Sequence, residues 1–220
     1  MNEVTVALPV KANLGECPRW DEKTQRLYWV DINNFQLNCF DPVSGENETL
    51  TFEEEIGCFS LRESGGFVLA MRSGFHLLDG WNTNLNPVTD PEADLEKNRF
   101  NDGRCDAKGR FIAGSYYPPK DYDGANLWSL GTDLEATRLV EGLLTSNGAA
   151  FSPNGSTLLI LTDDAMRLIP ASASSPSQFL EFGIGDNGLV REGEATNRIR
   201  NAVFSPDGEF IVTTGSSGAS

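Results

Sequence analysis

The chain has 220 residues, of which 39% are hydrophobic, including 13 Phe and 4 Trp. That content is enough to build a packed core and excludes a disordered protein. The formal net charge is −15, from 32 acidic and 17 basic residues, so the basic face that a nucleic-acid-binding protein needs is missing. No stretch approaches the roughly 20 apolar residues of a membrane span. We therefore expect neither nucleic acid nor a membrane as a partner.

Cysteine usage indicates the compartment. The four cysteines, at positions 17, 39, 58 and 105, form no Cys-x-x-Cys pair. Free cysteines are typical of a reducing environment. The N-terminus shows no basic region followed by an apolar run, so no signal peptide is predicted. We expect a cytoplasmic protein that acts as a monomer or a weak oligomer.

Short segments rich in β-branched and aromatic residues, separated by turn signals, predict strands along the chain. In chain order these strands are 4–10, 26–31, 36–41, 48–52, 66–71, 74–79, 110–115, 126–130 and 137–140. Long segments with helical periodicity are absent from the sequence, so the fold class is predicted to be all-β.

Five stretches share one register. They open at Glu16, Gly57, Asn101, Asn147 and Arg200, which are separated by 41, 44, 46 and 53 residues. In each stretch a large apolar residue or cysteine follows four residues later, and then a turn and an apolar run. This spacing is the period of the four-stranded blade of a β-propeller. A β-sandwich is the alternative, but it would not repeat the offset.

The first strand of a propeller blade lines the central channel, so the opening residues Glu16, Asn101 and Asn147 are predicted to meet at one mouth. Their carboxylate and amide oxygens suit Ca²⁺, Mg²⁺ or Mn²⁺, and Zn²⁺ also accepts them. Alternatively, these residues only cap their strands with side-chain hydrogen bonds.

Four motifs carry a resemblance to a known family. They are Leu-Gly-Glu-Cys-Pro-Arg-Trp-Asp from Leu14, Arg-Leu-Tyr-Trp-Val-Asp from Arg26, Asn-Arg-Phe-Asn-Asp-Gly from Asn98 and Ser-Asn-Gly-Ala-Ala-Phe-Ser-Pro-Asn-Gly from Ser146. In this combination and order, from residue 14 to about 163, the chain resembles the SMP-30/gluconolactonase/luciferin-regenerating family. The resemblance implies a six-bladed propeller that holds one divalent metal ion in its channel and hydrolyses sugar lactones.

The resemblance also implies roles for individual residues. Glu16 and Asn147 match the metal ligands of the family, and Arg99 and Asn101 match the pair that contacts substrate. The implied mechanism is metal-assisted hydrolysis, in which the cation polarises the lactone carbonyl and activates a water molecule. Asp102 is expected to accept hydrogen bonds in a turn, rather than to act in catalysis.

One position departs from the family pattern. The fifth repeat should present a metal-binding Asp that also accepts a proton, but the register places Arg200 there, and a cation can do neither. The catalytic residue is therefore unknown. Substitute carboxylates could come only from a shifted loop, from Asp186, Glu192 or Glu194. A second interpretation is that the Arg200 repeat matches the final blade of the family and that a blade is missing before it.

Six blades would need roughly 270 residues, and about four and a half are visible here. We interpret residues 1–220 as a single β-propeller domain that is incomplete, with a compact five-bladed variant as the alternative. The predicted function is metal-dependent hydrolysis of a small-molecule sugar lactone. The alternative is a catalytically impaired or non-catalytic propeller that binds a metal or another ligand.

Overall fold

A computed structural model describes residues 5–162, 166–170, 180–185, 188–191, 197–209 and 211–217. Beyond residue 170, side chains are described only for residues 202–209 and 211. Backbone contacts divide the chain into two compact units, Met1–Asp90 and Pro91–Ser220, which are described separately below. Every sheet in the described part of the chain is antiparallel.

The first unit contains two four-stranded sheets, each an up-and-down meander in chain order. The first sheet is built from β1 (Gly15–Asp21), β2 (Arg26–Asp31), β3 (Gln36–Phe40) and β4 (Asn47–Thr51). A short 3-10 helix (Ile32–Asn34) connects β2 to β3. The second sheet is built from β5 (Ile56–Leu61), β6 (Phe67–Met71), β7 (Gly74–Leu78) and β8 (Leu85–Thr89). Four strands in this order form the blade of a β-propeller.

The second unit begins with a third sheet of the same kind, here called sheet C. Sheet C is built from β9 (Arg99–Cys105), β10 (Phe111–Tyr116), β11 (Ala125–Leu130) and β12 (Ala136–Leu143). Its apolar core contains Ile112, Leu127, Val140 and Leu143, packed with Ile160 from the next sheet.

The last sheet has seven strands, where the repeat predicts a four-stranded blade followed by part of a fifth. It contains β13 (Asn147–Phe151), β14 (Thr157–Leu161), β15 (Met166–Pro170), β16 (Leu180–Gly185), β17 (Gly188–Arg191), β18 (Asn197–Phe204) and β19 (Ile211–Ser217). Strand β18 joins the sheet through the pairing of Asn197 with Ile184 of β16. The outer strand of a blade offers unpaired backbone groups, and here β17 and β18 pair with that strand.

The predicted strands agree closely with those observed. Strand β2 has the predicted bounds. The other predicted strands from residue 36 onwards begin and end within one residue of the predicted positions, except at the end of β12. That strand continues to Leu143 because a register shift in its pairing with β11 accommodates Gly142, whose φ is +74°. The strand predicted at 4–10 is wrong for its described residues, since 5–14 contain no strand.

A β-bulge lies at the shared register position, or directly after it, in all five repeats. The pairing of the first strand with the second shifts between Glu16 and Arg19 in β1, and Gly57, Asn101, Gly148 and Arg200 are the extra residues in β5, β9, β13 and β18. A bulge bends its strand and redirects a side chain, and bulges are common beside active sites. The repeated offset in the sequence therefore encodes a repeated backbone irregularity.

In the described part of the chain, no helix is long and apolar enough to cross a membrane.

The carboxylate of Asp31 ties the entry of the first sheet to the end of β2. It accepts hydrogen bonds from the backbone N–H groups of Asn13 and Leu14, both at 2.9 Å, and from the side-chain amide of Asn34 at 2.8 Å. Asp31 is only 2% exposed. Burial by itself would raise the pKa of this carboxyl, but the three donors outweigh burial and hold the pKa below its usual value.

We expect Asp31→Asn to lower the free energy of unfolding by about 2 kcal/mol at pH 7, because buried donors would lose a charged acceptor. Since the folded-state pKa is lowered, this contribution is fully present above about pH 4 and is lost as the pH falls through the folded value. Denaturant unfolding at neutral and acidic pH measures both effects. Glu22→Gln, in the exposed turn after β1, is the control. Equal losses in the two variants, or a loss from Asp31→Asn that persists in acid, would contradict the prediction.

Candidate functional site

Strand β9 brings the two predicted substrate residues together at its bulge. Arg99 is 8% exposed, and its Nη1 donates to the Oδ1 of Asn101 at 3.0 Å and to the carbonyl of Phe100 at 2.9 Å. The guanidinium carbon lies 5.0 Å from the ring centroid of Tyr116, which is paired with Arg99 across the sheet. Arg99 is thus a buried, oriented cation rather than an exposed surface charge.

Asn101 links sheet C to the following sheet. Its Nδ2 donates to the Oδ1 of Asn147 at 2.7 Å and to the carbonyl of Ser146 at 3.0 Å. A Cβ added at Gly114 of β10 would lie 2.1 Å from the side chain of Ser146, so a glycine is needed for this close approach. Arg99, Asn101 and Asn147, three of the four residues proposed for the site, therefore form one hydrogen-bonded chain.

Asp102 performs a different task from the one expected. It lies within β9 rather than in a turn, and its Oδ2 accepts a hydrogen bond from the backbone N–H of Gly148 at 2.7 Å. Its Oδ1 accepts from the N–H of Gly103 at 2.7 Å. Gly148 is the bulge residue of β13, at φ +65°, a conformation that favours glycine. The carboxylate thus fastens the bulge that follows Asn147.

Glu92 is a buried carboxylate that was not among the predicted site residues, and it accepts hydrogen bonds from residues next to Arg99 and Tyr116. Glu92 is 7% exposed, and its Oε1 accepts from Ser115 Oγ at 2.9 Å and from Asn126 Nδ2 and Trp128 Nε1, both at 2.8 Å. Its Oε2 accepts from Asn98 Nδ2 at 2.8 Å. A signal was present in the sequence, since Ser115 and Asn126 interrupt apolar strands where a buried polar group needs a partner.

The remaining predicted site residues lie in other elements. Glu16 is exposed on β1 in the first unit. Arg200 is the bulge residue of β18, and its side chain lies outside the described part of the chain. Asp186, Glu192 and Glu194 also lie outside the described residues.

The oxygen atoms near Asn101 are suitable ligands for a hard cation. The Oδ1 of Asn147 accepts one hydrogen bond, and an amide oxygen has a second lone pair for a further partner. Amide and carboxylate oxygens are the donors that Ca²⁺ and Mg²⁺ prefer. Among the residues that the structure describes, no group of three or more His, Cys, Asp or Glu is arranged to hold a metal ion.

Residues 14–178 match the model of the SMP-30/Gluconolactonase/LRE-like region. The chain is 43% identical over 141 residues to the 6-deoxy-6-sulfogluconolactonase of Pseudomonas putida, covering 64% of this chain and 48% of that protein. It is 32% identical over 150 residues to regucalcin of Xenopus laevis, covering 66% and 50%. The chain thus spans about half the length of the curated relatives it matches.

Solved structures confirm the fold class. A calcium-binding protein, regucalcin, from Agrobacterium tumefaciens superposes with a TM-score of 0.72 at 20% identity, over 93% of this chain and 75% of that one. At this identity the likeness concerns the fold, and it agrees with an all-β propeller of four-stranded blades.

We expect Glu92→Gln to lower the free energy of unfolding by about 2–3 kcal/mol, since a buried acceptor for charge-assisted hydrogen bonds would be lost. The amide oxygen can keep the three donors of Oε1, but the amide nitrogen would face the Nδ2 of Asn98, and two donors cannot pair. Thermal unfolding measures the loss. Glu96→Gln removes the same charge from an exposed position in the same segment and should change little. Equal stability of the two variants would show that the network does not hold the site.

Proposed function

We propose that the chain hydrolyses sugar lactones, because it belongs to the SMP-30/gluconolactonase/LRE-like family. The observation that carries the proposal is the hydrogen-bonded chain from Arg99 through Asn101 to Asn147. The relative in Pseudomonas putida is named for a sulfonated gluconolactone, which supports a sugar lactone as the substrate class. Since the chain spans about half of such relatives, the activity of the whole protein is part of the proposal.

Arg99 and Asn101 are proposed to bind the lactone. The guanidinium of Arg99 is a charged donor that the carbonyl or ring hydroxyls of a lactone can accept from. The amide of Asn101 offers both a donor and an acceptor, which matches a polyol. Stacking on Tyr116 and the bond to Asn101 hold the guanidinium plane in one orientation, so little conformational entropy is lost when substrate binds.

One divalent cation is proposed as the cofactor, held by Asn147 and Glu16. When bound, it would supply Lewis-acid polarisation of the lactone carbonyl and lower the pKa of a water molecule. The assignment of Asn147 is supported by its oxygen beside Asn101, and that of Glu16 by the family resemblance alone. The donor chemistry is compatible with Ca²⁺, Mg²⁺, Mn²⁺ or Zn²⁺.

A second function, binding of a metal ion or a sugar acid without catalysis, is favoured by one observation. The bulge of the fifth repeat carries Arg200, where the other polar members of the register are Glu or Asn. A guanidinium does not accept a proton at neutral pH, so this position does not supply the proton acceptor that hydrolysis needs. Turnover separates the two functions, because only the hydrolase would open a lactone.

We expect added Ca²⁺ or Zn²⁺ to accelerate the ring opening of glucono-δ-lactone above its spontaneous rate, and Glu16→Gln to abolish the gain by removing a charged ligand. A pH-indicator assay of acid release measures the rate, and calorimetry measures metal binding. Glu22→Gln, in the exposed turn after β1, is the control. Metal binding without turnover would support the second function. If the protein shows no metal binding and no turnover, both the hydrolase function and the non-catalytic binding of a metal ion are eliminated.

We expect Arg99→Lys to raise the KM for the lactone about ten-fold, since an ammonium lacks the planar fork of a guanidinium. Steady-state kinetics with glucono-δ-lactone measure KM and kcat separately. Arg104→Lys is the matched control, because Arg104 is exposed on the same strand. An unchanged KM in Arg99→Lys would remove Arg99 from the substrate site.

A further inference from the structure

Two Asn-Gly pairs lie close together in the described part of the second unit. Asn147–Gly148 opens strand β13, and Asn154–Gly155 lies in the turn that follows this strand. A third pair begins at Asn187, outside the described residues. Asparagine is chemically labile before glycine, because glycine has no Cβ to hinder the approach of its nitrogen to the side-chain amide. Asn147 is exposed, so the chemical stability of its amide matters to the candidate site.

The reaction that consumes such an asparagine begins at the backbone. The nitrogen of the following glycine loses its proton to hydroxide and forms a bond to the side-chain carbon Cγ of the asparagine. The bond from Cγ to Nδ2 then breaks, and ammonia leaves with a proton taken from water. A water molecule opens the resulting cyclic imide at either carbonyl, which gives aspartate or isoaspartate. The glycine N–H therefore has to leave its hydrogen-bond acceptor before the first bond forms.

At the first pair, the attacking nitrogen is held by a carboxylate. The N–H of Gly148 donates to the Oδ2 of Asp102 at 2.7 Å, and the Oδ1 of the same carboxylate accepts from the N–H of Gly103 at 2.7 Å. A hydrogen bond to a charged acceptor is stronger than one to a neutral acceptor. Loss of the proton would also place a negative nitrogen against a negative carboxylate, and like charges repel. Asp102 thus opposes the first step both as an acceptor and as a charge.

The side chain of Asn147 is held from the same strand. Its Oδ1 accepts from the Nδ2 of Asn101 at 2.7 Å, and that Nδ2 also donates to the carbonyl of Ser146 at 3.0 Å. Gly148 is the extra residue of the bulge in β13. The two groups that would react with each other are therefore bound by adjacent residues of β9, the amide by Asn101 and the nitrogen by Asp102.

The second pair differs in the charge of the acceptor. The N–H of Gly155 donates to the backbone carbonyl of Ser152 at 2.8 Å. The Oδ1 of Asn154 accepts from the hydroxyls of Ser152 and Ser156 at 2.8 and 2.7 Å, and from the N–H of Ser156 at 3.0 Å. Both pairs are thus hydrogen-bonded, but the glycine N–H meets a carboxylate at the first pair and a neutral carbonyl at the second. Asn154 is therefore an internal reference for local opening of the blade.

We propose that Asn147–Gly148 is a latent deamidation site, and that Asp102 suppresses the reaction by holding the N–H of Gly148. Asp102 then preserves the amide of Asn147, in addition to supporting the bulge. Isoaspartate at this position would insert a methylene group into the backbone of the bulge, and aspartate would place a second charge near Asp102. The inference stands on the described contacts, and it requires neither lactone hydrolysis nor a bound metal ion.

The test is peptide mapping by mass spectrometry of the full chain, incubated at mildly alkaline pH with a chelator. The conversion of Asn147 and of Asn154 to the corresponding acids is followed in the same samples. In Asp102→Ala we expect Asn147 to convert about ten-fold faster than in the unaltered protein, as the loss of one charge-assisted hydrogen bond predicts. Asp102→Glu keeps a carboxylate and should convert more slowly than Asp102→Ala.

Two controls separate the local contact from a general loosening of the fold. The rate at Asn154 should stay unchanged in every variant, because its own contacts do not include Asp102. Asp123→Ala removes a carboxylate from an exposed position in the same unit and should leave both rates unchanged. Asp102→Ser retains a neutral oxygen in place of the carboxylate, and we expect it to accelerate conversion at Asn147 alone.

Three results would overturn the proposal. The first is conversion of Asn147 in the folded, unaltered protein as fast as in the free peptide released by digestion. The second is equal acceleration at Asn147 and Asn154 in both Asp102→Ala and Asp102→Ser, which would reflect opening of the blade. The third is an unchanged or slower rate at Asn147 in these variants, and a slower rate would show that the carboxylate acts as a base. Lactone turnover enters none of these measurements, so a failure of the proposed hydrolysis is recognised independently.

Discussion

The carboxylate of Glu92 is the interaction on which the candidate site depends. It collects donors from the residue before β9, from β10 and from β11, so it fixes the ends of these strands relative to one another. Arg99 and Tyr116 follow directly after two of those donors, Asn98 and Ser115. A buried carboxylate with matched donors is rigid, because each broken bond would leave a charged or polar group unsatisfied. The hydrogen bonds of Glu92 thus fix the strand ends that position the Arg99 side chain.

The repeated β-bulge is the second constraint, and it explains why polar residues recur at one offset. A regular strand would alternate its side chains between the two faces of the sheet, and each bulge interrupts that alternation at the opening of a blade. In the second unit this allows Asn101 to meet both Asn147 and the carbonyl of Ser146. Asp102 stabilises the neighbouring bulge by accepting a hydrogen bond from the N–H of Gly148, so this carboxylate beside the site has a structural role.

Charge is distributed unevenly in this acidic protein. The excess of carboxylates keeps the surface solvated, whereas Arg99 and Lys120 meet at one aromatic ring. Tyr116 contributes here as a ring that two cations share, which neither its strand position nor its residue type reveals.

The sequence by itself determined most of the strands and the blade period, because alternation and turn chemistry are local properties of the chain. Asn101 and Asn147 were predicted from the shared register, and Arg99 from the motif resemblance. Tertiary structure decided what those residues contact. Glu92 reads as one more acid in a charged segment, yet its partners lie up to 36 residues away, and the pairing of Asp102 with Gly148 spans 46. Such hydrogen bonds leave no periodic trace, since they depend on which strand ends meet after folding.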